Sequence, residues 1–219
     1  MMFRNRAEAG RELAGCLSKY SSTTDLLVLG IPRGGVPVAF EVAKQLHAPL
    51  DVLIVRKLGV PGQEELGFGA IASGGLRFLD AEIVEAVGIS KRNLERITET
   101  EEKELKRRER AYRGARPPFD ASGRTVIVVD DGIATGSSMQ VAINAVRQMN
   151  PSHLIVAVPV APVSTCHRLQ AKVDDLVCVY MPRSFYAIGQ YYEDFSQVSD
   201  EVVTELLAQA MPRKSRSAA

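Results

Sequence analysis

Val126-Ile127-Val128-Val129-Asp130-Asp131-Gly132-Ile133-Ala134-Thr135-Gly136-Ser137-Ser138 is the stretch that decides the fold. Its four leading residues are apolar and β-branched, as in a strand buried on both faces. The strand ends in two adjacent carboxylates, a turn holding Gly132 and Gly136 follows, and a helix is predicted from about Ser137. A helix N-terminus presents unpaired N–H groups and a partial positive charge, which suit a phosphate. Gly136 allows close backbone approach, and Thr135, Ser137 and Ser138 add hydroxyl donors. Carboxylates would repel that phosphate unless they face something else, such as a sugar diol or a magnesium ion.

On either side of this stretch the same strand-then-helix alternation recurs. Leu26 to Leu29 is a short apolar run ending at Gly30, followed by the turn Ile31-Pro32-Arg33-Gly34-Gly35 and a predicted helix over 36–47. Strands are expected near 50–56, 125–129, 153–158 and 176–180, with helices over 137–149, 164–171 and 200–210. This pattern predicts an α/β fold with a mainly parallel, doubly wound sheet. Phe3, Ala7, Gly10, Leu13, Ala14 and Leu17 predict an amphipathic first helix over 3–17. An aromatic segment covers 181–198, and a basic tail begins at Pro212.

The middle departs from the alternation. Residues 57–79 carry six glycines, at 59, 62, 67, 69, 74 and 75, and read as a glycine-rich loop followed by a β-ribbon. Ala81 to Val87 is predicted helical and stopped by Gly88, and Ser90 is placed to cap a helix running to about Tyr112. Lys91 to Arg116 holds ten basic and six acidic residues around a narrow stripe of Leu94, Ile97, Leu105 and Tyr112. That stripe predicts a solvated, peripheral helix beside the loop, with a lid or subunit contact as the sharper reading.

Composition sets the class. The 219 residues suit one large domain, and 46% hydrophobic with 24% charged residues is an ordinary globular mixture. A net charge of +1 gives no reason to expect nucleic acid or a membrane surface as partner. Cys16, Cys166 and Cys178 are widely spaced, without a CxxC pair, so neither disulfides nor a thiolate metal site is expected. His47, His153 and His167 share no ligand spacing. The N-terminal residues lack an apolar leader core, and the run Leu154 to Val163 is too short to span a bilayer, so a reducing cytoplasm is expected. Other phosphate motifs fail on spacing. Gly132 and Gly136 stand too close for a Walker loop, and Gly67 to Ala72 is followed by Ser73-Gly74-Gly75 where a dinucleotide fold would start a helix.

The run Val126 to Ser138 resembles the phosphoribosyl-pyrophosphate (PRPP) signature of type I phosphoribosyltransferases. Ile31 to Gly35 stands where that family has its pyrophosphate loop, and Arg56-Lys57 where a basic residue follows the next strand. The likeness covers residues 24–181 and points to a bacterial group named only for the family. It implies one phosphoribosyltransferase domain over 1–219, with a flexible loop and charged helical insert at 58–118 and a hood at 181–198 that receives the base. It also implies that Asp130 and Asp131 hold the ribose hydroxyls directly or through Mg²⁺. By the same likeness Ala134, Thr135, Gly136, Ser137 and Ser138 cradle the 5′-phosphate, and Arg33, Gly34, Gly35, Arg56 and Lys57 bind pyrophosphate. Lys57, Asp130 and Asp131 are the candidate catalytic residues. Glu64 and Glu65 would lie in the closing loop, and Phe185, Tyr186, Tyr191 and Tyr192, with Arg183, beside the base. Salvage enzymes for 6-oxopurines often carry aspartate where Ala134 stands, so the likeness argues against their mechanism.

The expected activity is Mg²⁺-dependent phosphoribosyl transfer from PRPP to a nitrogenous base, as in nucleotide metabolism, by a protein free to form homo-oligomers. A non-catalytic sensor of PRPP or nucleotide is the alternative, and a hydrolase of a phosphoribosyl ligand a weaker third. Fold alone cannot separate them.

Overall fold

A computed structural model describes residues 2–60, 63–114 and 116–210, with residues 63–66 as backbone only. The core is a five-stranded parallel sheet in the order β2-β1-β6-β7-β8. Its strands are β1 (Leu26–Gly30), β2 (Leu50–Val52), β6 (Thr125–Val129), β7 (His153–Val160) and β8 (Asp175–Tyr180). The alternation of side chains along a strand feeds two core layers. Val28, Ile127 and Val129 face a layer with α1 (Arg6–Cys16), α2 (Gly35–Gln45) and α7 (Asp200–Gln209). Leu27, Leu29, Val126 and Val128 face the other, with α5 (Ser137–Gln148) and α6 (Val163–Gln170). Both faces are covered, which is why these strands read as continuous apolar runs.

A second, antiparallel sheet is formed by β3 (Val55–Val60), β4 (Gln63–Ala72) and β5 (Leu76–Leu79). This corrects the single strand expected over 50–56. The chain leaves the core sheet after Val52, and Val55 pairs with Ala72 instead. Ser73 makes the crossover: fully buried, its hydroxyl accepts the Ile54 N–H at 3.0 Å and its own N–H donates to the Ile54 carbonyl at 2.9 Å. Two backbone groups that a continued strand would satisfy are thus satisfied by one distant serine. The expected flexible loop falls largely on ladder residues, with Leu58 opposite Gly69 and Val60 opposite Gln63. Pro61 and Gly62 lie outside the described residues, as do the side chains of Glu64 and Glu65 and the tail from Pro212.

Two helix expectations are corrected. The first helix begins at Arg6, because Asn5 caps it by accepting the Glu8 N–H at 3.0 Å. Phe3 lies outside it, in a bridge to Tyr192. The charged helix α4 (Lys91–Arg113), which follows α3 (Ala81–Val87), is not merely solvated. Leu105 and Tyr112 are buried in the main core, with Leu94 and Ile97 packed against it. Polar groups complete what its apolar stripe lacks. The Tyr112 hydroxyl donates to Asp200 Oδ1 at 2.6 Å. Buried Arg113 reaches Asp51 Oδ1 at 2.9 Å, Glu109 Oε1 at 3.1 Å and the Val52 carbonyl at 2.8 Å. Among the described residues no helix is long and apolar enough to cross a membrane.

Candidate functional site

The helix after β1 leads to β2 on one side, and the helix after β6 leads to β7 on the other. The carboxyl ends of β1 and β6 therefore form a topological switch point, where open α/β sheets bind ligands. Gly30 pairs with Val129, so the turns after both strands meet there. Ile31 N–H donates to the Val129 carbonyl at 2.9 Å, and Ile133 N–H to the Val160 carbonyl at 2.9 Å, tying both turns to the sheet.

Two glycines let the turns touch. A Cβ on Gly34 would overlap Asp131 Oδ2, and one on Gly35 would lie 2.8 Å from both Asp130 Cα and the Val129 carbonyl oxygen. Gly34→Ala should therefore destabilise the protein by about 1–3 kcal/mol through overpacking. A fall of roughly 2–12 °C in melting temperature would register it, and an unchanged midpoint would refute the close packing. The Gly35 N–H already donates to the Ile31 carbonyl at 3.0 Å. The Pro32–Arg33 peptide bond is cis. Arg33 Nη1 stands 3.8 Å from Asp200 Oδ1, a loose and partly exposed contact.

Asp130 lines a hollow of about 210 Å³ with Gly132 to Met139 and Ile188. Ala134, Thr135, Ser137 and Ser138 are exposed around it. Gly136 has φ +80°, and its Cβ would press on Thr165 Cγ2 at 3.1 Å, so glycine is required on two counts. Helix α5 starts there without a side-chain cap. Behind the turn, the Thr165 hydroxyl donates to the Ala134 carbonyl at 2.9 Å and Arg168 donates to the Thr135 carbonyl. Burial and the neighbouring Asp131 push the Asp130 carboxyl well above the ordinary carboxylate range. Burial also raises Asp131, opposed by Arg6, whose Nε lies 2.7 Å from Asp131 Oδ2. Among the described residues no cation pairs with Asp130.

Lys57 and Arg56 part company, as neighbours on a strand must. Lys57 is exposed and lines a cleft of about 450 Å³ between the antiparallel sheet and α5, together with Asp80, Ser137 and Gln140. Arg56 is turned to α4, where its Nε lies 2.6 Å from Glu101 Oε2. The two were expected to serve one pyrophosphate; the strand sends them to different surroundings.

The hood aromatics mostly pack on one another. Tyr191 stacks on Phe185 with centroids 5.5 Å apart and donates to the Ser184 carbonyl at 2.8 Å. Tyr192 donates to the Asp131 carbonyl at 2.6 Å, and burial raises its pKa. Tyr186 is 88% exposed. Ile188 is the hood residue that meets the hollow, so close over Gly132 that a Cβ there would lie 2.6 Å from its Cγ2. Arg6, Tyr192 as a pin, Ile188, Thr165 and Arg168 are site residues the sequence reading missed. Each arrives from an element remote in the chain and carries no local motif. The Cys178 thiol donates to the Tyr180 carbonyl at 3.3 Å, and Cys166 is buried in the core.

A family model described as "phosphoribosyl transferase domain" matches residues 3–196. Two Mycobacterium tuberculosis proteins, from strains CDC 1551 and H37Rv, are 43% identical over 209 residues and carry the name phosphoribosyl transferase provisionally. The match covers 95% of this chain and 47% of theirs, so the chain spans about half the length of these relatives. The crystal structure of TT1426 from Thermus thermophilus is 40% identical, with a TM-score of 0.85, covering 97% of this chain and 100% of that one. A Neisseria gonorrhoeae protein solved with bound ppGpp shares the fold at 10% identity and a TM-score of 0.50, covering 96% of each chain.

Proposed function

Because the chain belongs to the phosphoribosyl transferase domain family, we propose that it transfers the phosphoribosyl group of PRPP to a nitrogenous base and releases pyrophosphate. The observation that carries this reading is the accessible turn 130–138 at the switch point, packed against the glycine turn 31–35. The uncapped start of α5 and the hydroxyls of Thr135, Ser137 and Ser138 suit the 5′-phosphate. Asp130 suits the ribose hydroxyls. A carboxylate that burial makes costly to ionise is relieved by hydroxyl donors or a cation.

Displacement at the anomeric carbon builds positive charge on the ribose and negative charge on the departing pyrophosphate. The protein's work is to hold both reactants, meet the leaving group with cations and exclude water. Arg33 stands within the glycine turn itself, and Lys57 lines the adjoining cleft, which shares Ser137 with the hollow. Among the described residues no three His, Cys, Asp or Glu side chains converge as a metal cage. Mg²⁺ would therefore be held by Asp130 together with the oxygens of PRPP, a pattern magnesium commonly adopts. When bound, it would neutralise phosphate oxygens and orient the leaving group. Ala134 offers no carboxylate to an acceptor base, so the base would have to arrive nucleophilic without help from that position. Such chemistry belongs to nucleotide metabolism in a reducing cytoplasm.

The test is pyrophosphate release from PRPP and Mg²⁺ across a panel of purine, pyrimidine and pyridine bases. Release dependent on one base supports the transferase. Binding of PRPP or a nucleotide by calorimetry, without release for any base, would replace it with the ligand-sensor reading. The tie between Arg56 and Glu101, which holds one expected leaving-group cation on α4, is the feature that keeps this second reading in view.

A further inference from the structure

Asp131 is gripped at its N–H, its carbonyl and its carboxylate. The N–H donates to Asp130 Oδ1 at 2.8 Å, the carbonyl accepts the Tyr192 hydroxyl at 2.6 Å, and the carboxylate accepts Arg6 Nε at 2.7 Å. Gly34 closes against Oδ2. Arg6 is fixed in turn: its Nη1 donates to the Ser196 carbonyl at 2.8 Å and its guanidinium lies 4.0 Å from the centroid of the Phe195 ring. Phe195 packs on Tyr192 with centroids 5.0 Å apart. Backbone bonds from Phe3 to Tyr191 and from Glu193 to Phe3, each 2.8 Å, bind the N-terminal segment to the hood. Arg6 and Asp131 side chains are each only 11% exposed. Asp130, one residue earlier, lines the hollow instead.

We propose that the two acidic residues divide their work: Asp130 alone meets the ligand's sugar, while Asp131, Arg6 and Tyr192 form a positioning unit that joins the N-terminal helix and the hood to the pocket. The assignment rests on reading the hollow as the PRPP site. It has an electrostatic consequence. Asp131 neutralised by Arg6 leaves one uncompensated carboxylate beside a polyanionic ligand, where an unpaired acidic pair would leave two. It also revises the expectation that Asp131, like Asp130, contacts ribose or metal. A carboxylate so engaged has its partner within the protein.

Arg6→Gln creates a second uncompensated buried carboxylate. It should weaken PRPP binding by calorimetry at least about tenfold. The second-site change Asp131→Asn should then restore most of that affinity, because it removes the surplus charge. Asp131→Asn alone should stay within about threefold of wild type in affinity, and Arg6→Lys should keep most of it. Asp130→Asn should lose affinity at least about tenfold, with no rescue by changes at Arg6. If Arg6 instead contacted the ligand itself, loss of Asp131 would not restore affinity. The inference is overturned if Asp131→Asn alone weakens PRPP binding as much as Asp130→Asn, or if the double variant binds no better than Arg6→Gln.

Melting temperature supplies the arm that is independent of PRPP. Arg6→Gln should fall by roughly 6–15 °C and the double variant should recover part of the fall. If wild type does not bind PRPP, the functional reading fails while this recovery still decides the pairing. If Arg6→Gln does not fold, recovery of folding in the double variant supports the unit and continued failure refutes it.

Discussion

Arg113→Ala should cost the protein about 3–5 kcal/mol, since it leaves the Asp51 carboxylate in a mostly buried setting without its cation. For a chain of this size that is roughly a 6–20 °C fall in melting temperature. The Arg113 side chain is 4% exposed and that of Asp51 14%, so solvent screens the pair little. The guanidinium also donates to the Val52 carbonyl, at the point where β2 ends and the chain turns toward the second sheet, and lies 5.1 Å from the Phe119 ring centroid. One side chain thus holds the charged helix, the last residue of β2 and the segment after the helix together. A scanning-calorimetry midpoint within about 2 °C of wild type would show that α4 is the solvated helix its composition suggested.

Arg33→Ala should have the opposite signature. If Arg33 meets the departing pyrophosphate, its loss should lower kcat/KM for pyrophosphate release by about 10²–10³, the usual scale for removing one preorganised charge stabiliser. Stability should barely move, because the contact with Asp200 at 3.8 Å is partly exposed and such pairs contribute little. Steady-state kinetics beside a thermal melt separates the cases. Unchanged kcat/KM would remove Arg33 from the reaction, and a large fall in midpoint would make it a structural residue.

The contrast between these two arginines bears on what was legible beforehand. Arg33 was visible because it sits in a short motif, between a buried strand and two glycines. Arg113 was invisible, one of ten basic residues in a run whose bulk is solvated. Its partner Asp51 lies 62 positions away. The split of the expected strand 50–56 was hidden for the same reason. Leu50 to Arg56 is locally a good strand, and only Ser73, arriving from the far end of a hairpin, ends it at the core sheet's edge.

Consecutive residues were enough to set the parallel sheet and the glycine-bearing turn 130–138. Buried strands need unbroken β-branched apolar runs, and a turn with positive φ at a close approach needs glycine, so both are written locally in the chain. How the acidic pair is used was settled by folding in three dimensions. Arg6 and Asp131 are 125 positions apart, and Tyr192 and Asp131 are 61 apart. The strength of an ion pair depends on the distance and burial that folding imposes, neither of which spacing along the chain encodes. Two identical neighbouring side chains, Asp130 and Asp131, accordingly end in different surroundings, one open to a ligand and one closed by the protein.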